Sequence, residues 1–300
     1  MKLLFCSDPL APREVDPAYA AEAEAASRAG TPFALVDYEA LVDEGDAARA
    51  VRKVGKAEGL AIYRGWMLTP ERYGDLYDAL ARRGVRLINA PEAYRHAHYL
   101  PESYALIEGA TPKSVWLPKE ADGTRIMEAL RPFGDRPVVL KDYVKSRKHE
   151  WAEACFIPSA SDRAAVERVV GRFRELQGDS LAEGLVFREF VEFEPIGAHP
   201  KSGMPLTREH RAFYLDGRPL VSFAYWADVG QADDGPPPEV FDAVARRIRS
   251  RFFTMDVARR KGGEWMIVEL GDGQVAGLPD AAQADRLHRA LAAAGPEVRG

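Results

Sequence analysis

Two acidic residues near the C-terminus carry the strongest chemical signal in the sequence. The strand-like runs Phe252 to Ala258 and Trp265 to Leu270 flank Gly262-Gly263. A two-residue Gly-Gly turn pairs Lys261 with Glu264, and holding that offset sets Asp256 directly opposite Glu269. Period-2 alternation then puts Met255, Val257, Met266, Val268 and Leu270 on one apolar face and both carboxylates on the other. Opposed residues lie about 4.5–5.5 Å apart at Cα. Like charges that close destabilise a hairpin unless a cation or basic partner lies between them. Oxygen donors without imidazole or thiol suit Mg²⁺, which takes one or two carboxylates plus phosphate oxygens. The plainer alternative is an exposed hairpin whose acids pair with Arg259 or Arg260.

Three further segments carry charge in a patterned way. In Pro137-Val138-Val139-Leu140-Lys141-Asp142-Tyr143-Val144-Lys145-Ser146-Arg147-Lys148 an apolar strand runs into four basic residues. On a continuous strand Lys141 and Lys145 share a face roughly 13 Å apart, a span suited to a triphosphate; the alternative is an edge strand whose lysines deter pairing. The run lacks the glycines of a P-loop. In Gly184 to Glu194 an apolar strand carries Glu189, Glu192 and Glu194, which places backbone groups and carboxylates where a base and a sugar could use them. In Glu209 to Phe223 the Asp216-Gly217 pair marks a hairpin, and alternation sets Glu209 and Arg211 on one side. Arginine there would stabilise transferred phosphoryl charge, or simply form a cross-strand ion pair.

The elements that must position these residues fall into two halves. Strand-like Leu3–Cys6, Phe33–Val36, Ala61–Tyr63 and Val85–Ile88 alternate with helical Ala20–Arg28 and with a helix capped by Thr69-Pro70, a pattern that predicts a mostly parallel α/β domain over residues 1–90. No Gly-x-Gly-x-x-Gly follows these strands, which argues against a Rossmann dinucleotide site. Residues 91–300 open with a helical stretch broken near Pro101. They continue as strands and hairpins with helices expected from Ser161 to Leu176, Pro238 to Arg251 and Asp280 to Ala294. Segments Gly197–Pro205 (with His199, Lys201 and Gly203) and Gly230–Pro238 read as a candidate lid and a solvated loop. Arg64 is expected either to face a substrate or to lie on the surface against Trp66, and His96 and His98 are expected on a helix surface.

Composition narrows the class. Lys plus Arg number 41 against 46 for Asp plus Glu, so the net charge of -5 argues against a general nucleic-acid coat protein, although not against a nucleic-acid substrate. Cys6 and Cys155 sit in apolar stretches and read as buried thiols in a reducing compartment. No run approaches the roughly 20 apolar residues of a spanning helix, and a cytoplasmic location with no membrane partner is expected.

In this order the elements resemble the ATP-grasp superfamily over roughly residues 85–280, with an α/β domain before it. The resemblance implies an α+β fold of two subdomains, about 91–184 and 185–300, clasping ATP and Mg²⁺. It also implies an ATP-dependent ligase that activates a carboxylate as an acyl phosphate for attack by an amine on a small-molecule or peptide substrate. Lys141 matches the phosphate-binding lysine, and Glu189, Phe190 and Val191 the linker that reads adenine. Glu192 or Glu194 would hold ribose, Arg211 the transferred phosphate, and Asp256 and Glu269 the metal. Three features depart from the family pattern. Glu269-Leu270-Gly271-Asp272 has glycine where the metal-site asparagine is usual, so Asp272 would take over. The glycine-rich lid is replaced by Tyr143 to Lys148, and Lys145 stands in for a missing lysine. Lys-x-x-x-Lys with Glu-Leu-Gly-Asp-Gly-Gln is similar to a divergent clade proposed to ligate RNA. An RNA-end ligase acting through adenylation, or a degenerate nucleotide binder, are therefore the alternatives.

Overall fold

A computed structural model describes residues 1–56, 58–199, 203–226 and 235–295. The first ninety residues form a four-stranded parallel sheet from β1 (Lys2–Cys6), β2 (Phe33–Val36), β3 (Gly59–Arg64) and β4 (Val85–Leu87), in the order β2-β1-β3-β4. Both faces are covered, which is why the strands read as unbroken apolar runs. Leu4, Cys6, Ala61 and Tyr63 pack on Tyr73, Leu76 and Leu80 of the helix Pro70–Ala81, while Leu3, Phe5 and Ile62 face the other way. The Thr69 hydroxyl caps that helix by accepting from Arg72 N at 3.3 Å, as its sequence predicts. Cys6 and Cys155 are buried free thiols.

Two antiparallel sheets follow. The first contains β5 (Ser114–Pro118), β6 (Val138–Asp142), β7 (Phe156–Ile157) and β8 (Gly184–Glu189), ordered β5-β8-β6-β7. Leu140, Leu185 and Phe187 bury one face against Val166, Val169 and Phe173 of the helix Arg163–Gln177. A short hairpin of β9 (Pro195–Ala198) and β10 (Pro205–Thr207) leads to the second sheet. That sheet comprises β11 (Glu209–Leu215), β12 (Arg218–Ala224), β13 (Phe252–Arg259) and β14 (Trp265–Asp272), ordered β12-β11-β13-β14. Asp216 and Gly217 make the two-residue turn between β11 and β12 with φ of 51° and 75°, the positive pair a type I′ turn requires.

The two faces of this second sheet differ. Ala212, Tyr214, Phe253, Met255 and Leu270 bury one face against Ala97, Leu100 and Ile107 of the helices Pro91–His98 and Leu100–Ile107. On the other face, Phe213, Leu215 and Phe252 pack on Leu3, Phe5 and Ile62 of the parallel sheet and on Leu287 and Leu291 of the helix Ala284–Ala294. Further along those strands the same face turns charged.

Several expectations are corrected. The helical stretch after Pro91 breaks at Tyr99, and Pro101 lies in the first turn of the second helix. The helix expected from Pro238 to Arg251 is only a 3₁₀ turn, Pro238–Phe241, followed by Asp242–Ala245. Lys201 and residues 230–234 lie outside the described residues. His96 and His98 are 2% and 7% exposed, not on a surface.

Arg64 neither faces a substrate nor lies on the surface. It is 1% exposed, and its Nε and Nη2 donate to Glu22 at 2.9 and 2.7 Å while Nη1 reaches Ala276 O at 2.9 Å. His288 of the last helix contacts the same carboxylate at 3.0 Å. Among the described residues, no helix is long and apolar enough to cross a membrane.

Burial alone would raise the Glu22 pKa, but Arg64 and His288 outweigh it and hold the group at about 2. Its stabilisation is therefore complete above the ordinary value of 4.5 and fades as pH falls toward 2. Arg64→Met is expected to cost about 3 kcal/mol at pH 7 in urea unfolding, and about as much less at pH 3 as Glu22 has protonated. Equal losses at the two pH values would contradict the linkage.

Candidate active site

Three neighbouring strands set three charged side chains in one row. Arg211 on β11 faces Asp256 on β13, and Asp256 faces Glu269 on β14. The Arg211 guanidinium grips Asp256 at both oxygens, Nε–Oδ1 2.8 Å and Nη2–Oδ2 2.6 Å. Lys141 crosses from β6 of the other sheet to Glu269, Nζ–Oε1 2.6 Å. Arg259 and Arg260 are engaged elsewhere, with Glu194 at 3.5 Å and Glu264 at 3.2 Å.

The opposition of Asp256 and Glu269 arises differently from the reading above. The β13–β14 connection is a three-residue loop, Lys261 to Gly263, because Arg260 N donates to Glu264 O at 2.7 Å and Gly263 takes φ of 93°. Next to the loop the ladder therefore pairs Arg259 with Trp265 and Val257 with Ile267. A bulge at Val268 then restores the offset, and Asp256 meets Glu269. The bulge also turns Ile267, rather than Met266 and Val268, into the core with Met255 and Val257. The unpaired Val268 carbonyl accepts from Arg188 Nη1, and Ile267 O accepts from Arg188 Nη2 at 3.2 Å, which ties the two antiparallel sheets together behind the row.

Lys145 does not continue the strand of Lys141. Asp142 accepts from Val144 N at 2.7 Å and from Lys145 N, and its own N donates to Lys145 O at 2.9 Å. This tight turn brings Ser146 back beside Lys141. Lys148 is thereby carried to the junction of two chambers beside the row. Burial alone would push its ammonium down, but the carboxylates of Glu209, Glu269 and Asp256 hold it above the ordinary lysine range. Glu269 is held at about 2, because Lys141 and Lys148 outweigh the upward effect of burial. His98 is pushed down to about 4 by burial despite the Glu269 charge.

Two chambers, of about 350 and 330 Å³, meet at Ser146, Lys148 and Glu269. The first is largely apolar, with Val139, Trp151, Phe190 and Val191 on its walls and Lys141 and Glu209 at its inner end. Trp151 stacks on Phe156 at 5.3 Å, and Phe190 meets that ring edge-on at 5.2 Å. Glu189 N and Phe190 N donate to Lys113 O and Pro137 O, whereas Val191 N–H meets no acceptor among the described residues. Glu192 lines this chamber and pairs with Lys261 at 2.9 Å, while Glu194 is drawn to Arg208 at 3.0 Å. Pro195, Met204 and Pro205 of the β9–β10 hairpin close the rim, and His199 meets His149 at 5.9 Å.

The second chamber is more polar than the first, lined by His98, Lys145, His149, Arg211, Asp256 and Asp272 among others. Asp272 is fully buried, and its oxygens accept from Asn89 Nδ2 (2.6 Å), Gln274 N (2.9 Å) and Gln274 Nε2 (3.1 Å). Burial raises it to about 7 against those hydrogen bonds. Gly271 has Thr254 Oγ1 only 2.8 Å from where a Cβ would stand, so a larger residue fits there only if Thr254 moves.

Among the described residues no group of three or more His, Cys, Asp and Glu could hold a metal by itself. Two opposed carboxylates beside a cation-lined cleft fit Mg²⁺, which draws its remaining ligands from phosphate and water, and do not fit zinc. Lys148 and Glu209 escaped selection from the sequence. Nothing in the local pattern of Tyr143 to Lys148 announces the turn that brings Lys148 near these carboxylates; only the Asp142 side chain, able to cap such a turn, hints at it.

This arrangement, two antiparallel sheets clasping a cleft after a parallel α/β domain, is the ATP-grasp fold. Residues 132–291 match the family described as ATP-grasp domain, R2K clade family 3, and the chain belongs to that family. No curated protein matches the sequence. Among solved structures it resembles D-cycloserine synthetase at 18% identity and a TM-score of 0.59, covering 98% of this chain and 99% of that one. It resembles a RimK domain ATP-grasp protein from Sphaerobacter thermophilus at 13% and 0.60, covering 98% of each. The ATP-grasp ligase PsnB, complexed with its precursor peptide and AMPPNP, matches at 13% and 0.55 over 98% and 95%. At these identities the likeness is one of fold.

Lys148→Met leaves Glu209, Asp256 and Glu269 facing one another with one cation fewer. In urea unfolding without nucleotide it is expected to lose about 1 kcal/mol, whereas Lys145→Met, on an exposed side chain, loses less than about 0.5 kcal/mol. Equal effects would contradict the placement of Lys148.

Proposed function

We propose that the chain is an ATP-dependent ligase that activates a carboxylate as an acyl phosphate for attack by an amine, releasing ADP. The observation that carries this reading is the Arg211–Asp256–Glu269 row meeting Lys141 at the junction of an apolar and a polar chamber. Adenine would lie in the apolar chamber against Phe190 and Val191, with the unpaired Val191 N–H as donor to its edge. Of the two candidate sugar-binding acids, only Glu192 lines that chamber. Lys141 and Lys148 would neutralise phosphate charge, and Asp256 and Glu269 would hold Mg²⁺, which when bound supplies charge neutralisation at the phosphate oxygens. Arg211 would turn from Asp256 toward the transferred group as metal replaces it. We assign Asp272 to bracing β14, since Asn89 and Gln274 already occupy its oxygens. Lys145 and His149 would face the acceptor in the polar chamber. A small molecule or peptide suits that chamber, and a neighbour of the same fold is complexed with minimal precursor, Mg and ADP.

A second reading, a nucleotide binder without turnover, is favoured by one observation: glycine stands at position 271, where an asparagine would fit only if Thr254 moved. Purified protein incubated with Mg-ATP and panels of carboxylates and amines separates the readings. Accumulation of ADP and phosphate that requires both co-substrates supports the ligase. AMP and pyrophosphate would reject the acyl-phosphate route, and tight binding without product across the panel would favour the silent binder. In the ligase case Asp256→Asn is expected to lower kcat about a thousandfold with the fold intact by thermal melting.

A further inference from the structure

Between Ile267 and Leu270, strand β14 has two residues for one place. Ile267 pairs with Val257 and Leu270 with Met255, and all four side chains lie in the core. Apolar burial fixes those pairs and leaves Val268 and Glu269 to share the single opposing residue Asp256. Nothing in the core distinguishes the two. With Val268 presented to Asp256, Glu269 would become the residue left out of the ladder, and the carboxylates would no longer face each other.

Arg188 breaks this tie. It stands on β8 of the other antiparallel sheet and is 7% exposed. Its Nη1 donates to Val268 O, while Nη2 reaches Ile267 O at 3.2 Å and Thr111 Oγ1. Thr111 Oγ1 in turn donates to Ile267 O at 2.7 Å, and Ala110 O accepts from Ile267 N at 2.7 Å. Among the described residues the guanidinium forms no ion pair. Burial pushes it down to about 10, and the charge of Glu269 acts against that. Burying a cation against backbone carbonyls without a counter-charge is costly to the fold. What it supplies is the shape of the bulge. Lys141 also pulls on Glu269, but at the side chain, and in the reading above it passes to phosphate when nucleotide binds. The bonds of Arg188 to the bulge have no such competitor.

We propose, resting on the metal assignment above, that Arg188 is a positioning residue for the metal-binding pair: by holding the Val268 and Ile267 carbonyls it keeps Val268 as the extra residue and presents Glu269 to Asp256.

Calorimetric titration of the full chain with ATP, once in Mg²⁺ and once in EDTA, tests this. In wild type Mg²⁺ is expected to tighten binding. Arg188→Met should cut that metal-dependent gain about tenfold or more, while ATP in EDTA binds as before. Arg188→Lys, which can reach one carbonyl, should lie between. Deleting Val268 in the Arg188→Met background removes the residue that competes for Asp256 and leaves a regular ladder, so the gain should return. A residue acting only on stability offers no such rescue. Where Arg188→Met does not fold by thermal melting, Arg188→Lys and the doubly altered chain carry the test. An unchanged gain in Arg188→Met, an equal loss with and without metal (which would make Arg188 a direct nucleotide contact), or no return on deleting Val268 would overturn the proposal. Wild-type affinity unaltered by Mg²⁺ would reject the metal assignment and this inference with it.

Discussion

Two carboxylates facing each other across adjacent strands repel by about 3 kcal/mol at 5 Å and an effective dielectric of 20. The sheet cannot separate them, because the ladder fixes Asp256 against Glu269. Cations must come to them. Arg211 comes from the next strand, Lys141 from the opposite sheet and Lys148 from the turn that follows it. The Lys141–Glu269 pair crosses between the two antiparallel sheets, so the charge requirement at one point ties them together over the cleft. The ligand-free protein thus carries in its own ion pairs the positive charges that a polyphosphate, with its metal, would take over.

That row is held in place from behind by a network of buried polar groups. Asn89, just past β4, accepts from Arg251 N at 2.9 Å and Phe252 N at 3.1 Å, and donates to Phe252 O at 2.8 Å and to Asp272. Gln274 donates to Tyr73 OH at 2.7 Å and accepts from Tyr63 N at 3.2 Å. The N-terminal domain therefore grips the start of β13 and the end of β14. Such a buried, fully connected network costs little only while every member stays paired. It supplies donors to both oxygens of the fully buried acid at position 272.

The parallel sheet was legible because strands buried on both faces leave continuous apolar runs, as in Leu3–Cys6 and Ala61–Tyr63. The Asp216-Gly217 turn was legible because few residue pairs tolerate two positive φ angles. The opposition of Asp256 and Glu269 was reached through two departures that cancel: one residue more in the loop and one unpaired residue at Val268. Bulges respond to tertiary contacts, here the Arg188 guanidinium, and periodicity does not register them. The same limit applies to Lys145 and Lys148, whose positions depend on a turn closed by the Asp142 side chain. It applies to Arg64 and His98 too, polar types that only their partners and neighbouring elements bury.

The account rests on the carboxylate pair giving up its protein cations to a metal when nucleotide arrives. Crystals grown with a non-hydrolysable ATP analogue and Mn²⁺ test this directly through the anomalous signal of manganese. The account predicts a manganese peak within bonding distance of both Asp256 and Glu269 and of phosphate oxygens, with Arg211 and Lys141 turned onto the phosphates. Bound nucleotide with both original ion pairs intact and manganese elsewhere would contradict it.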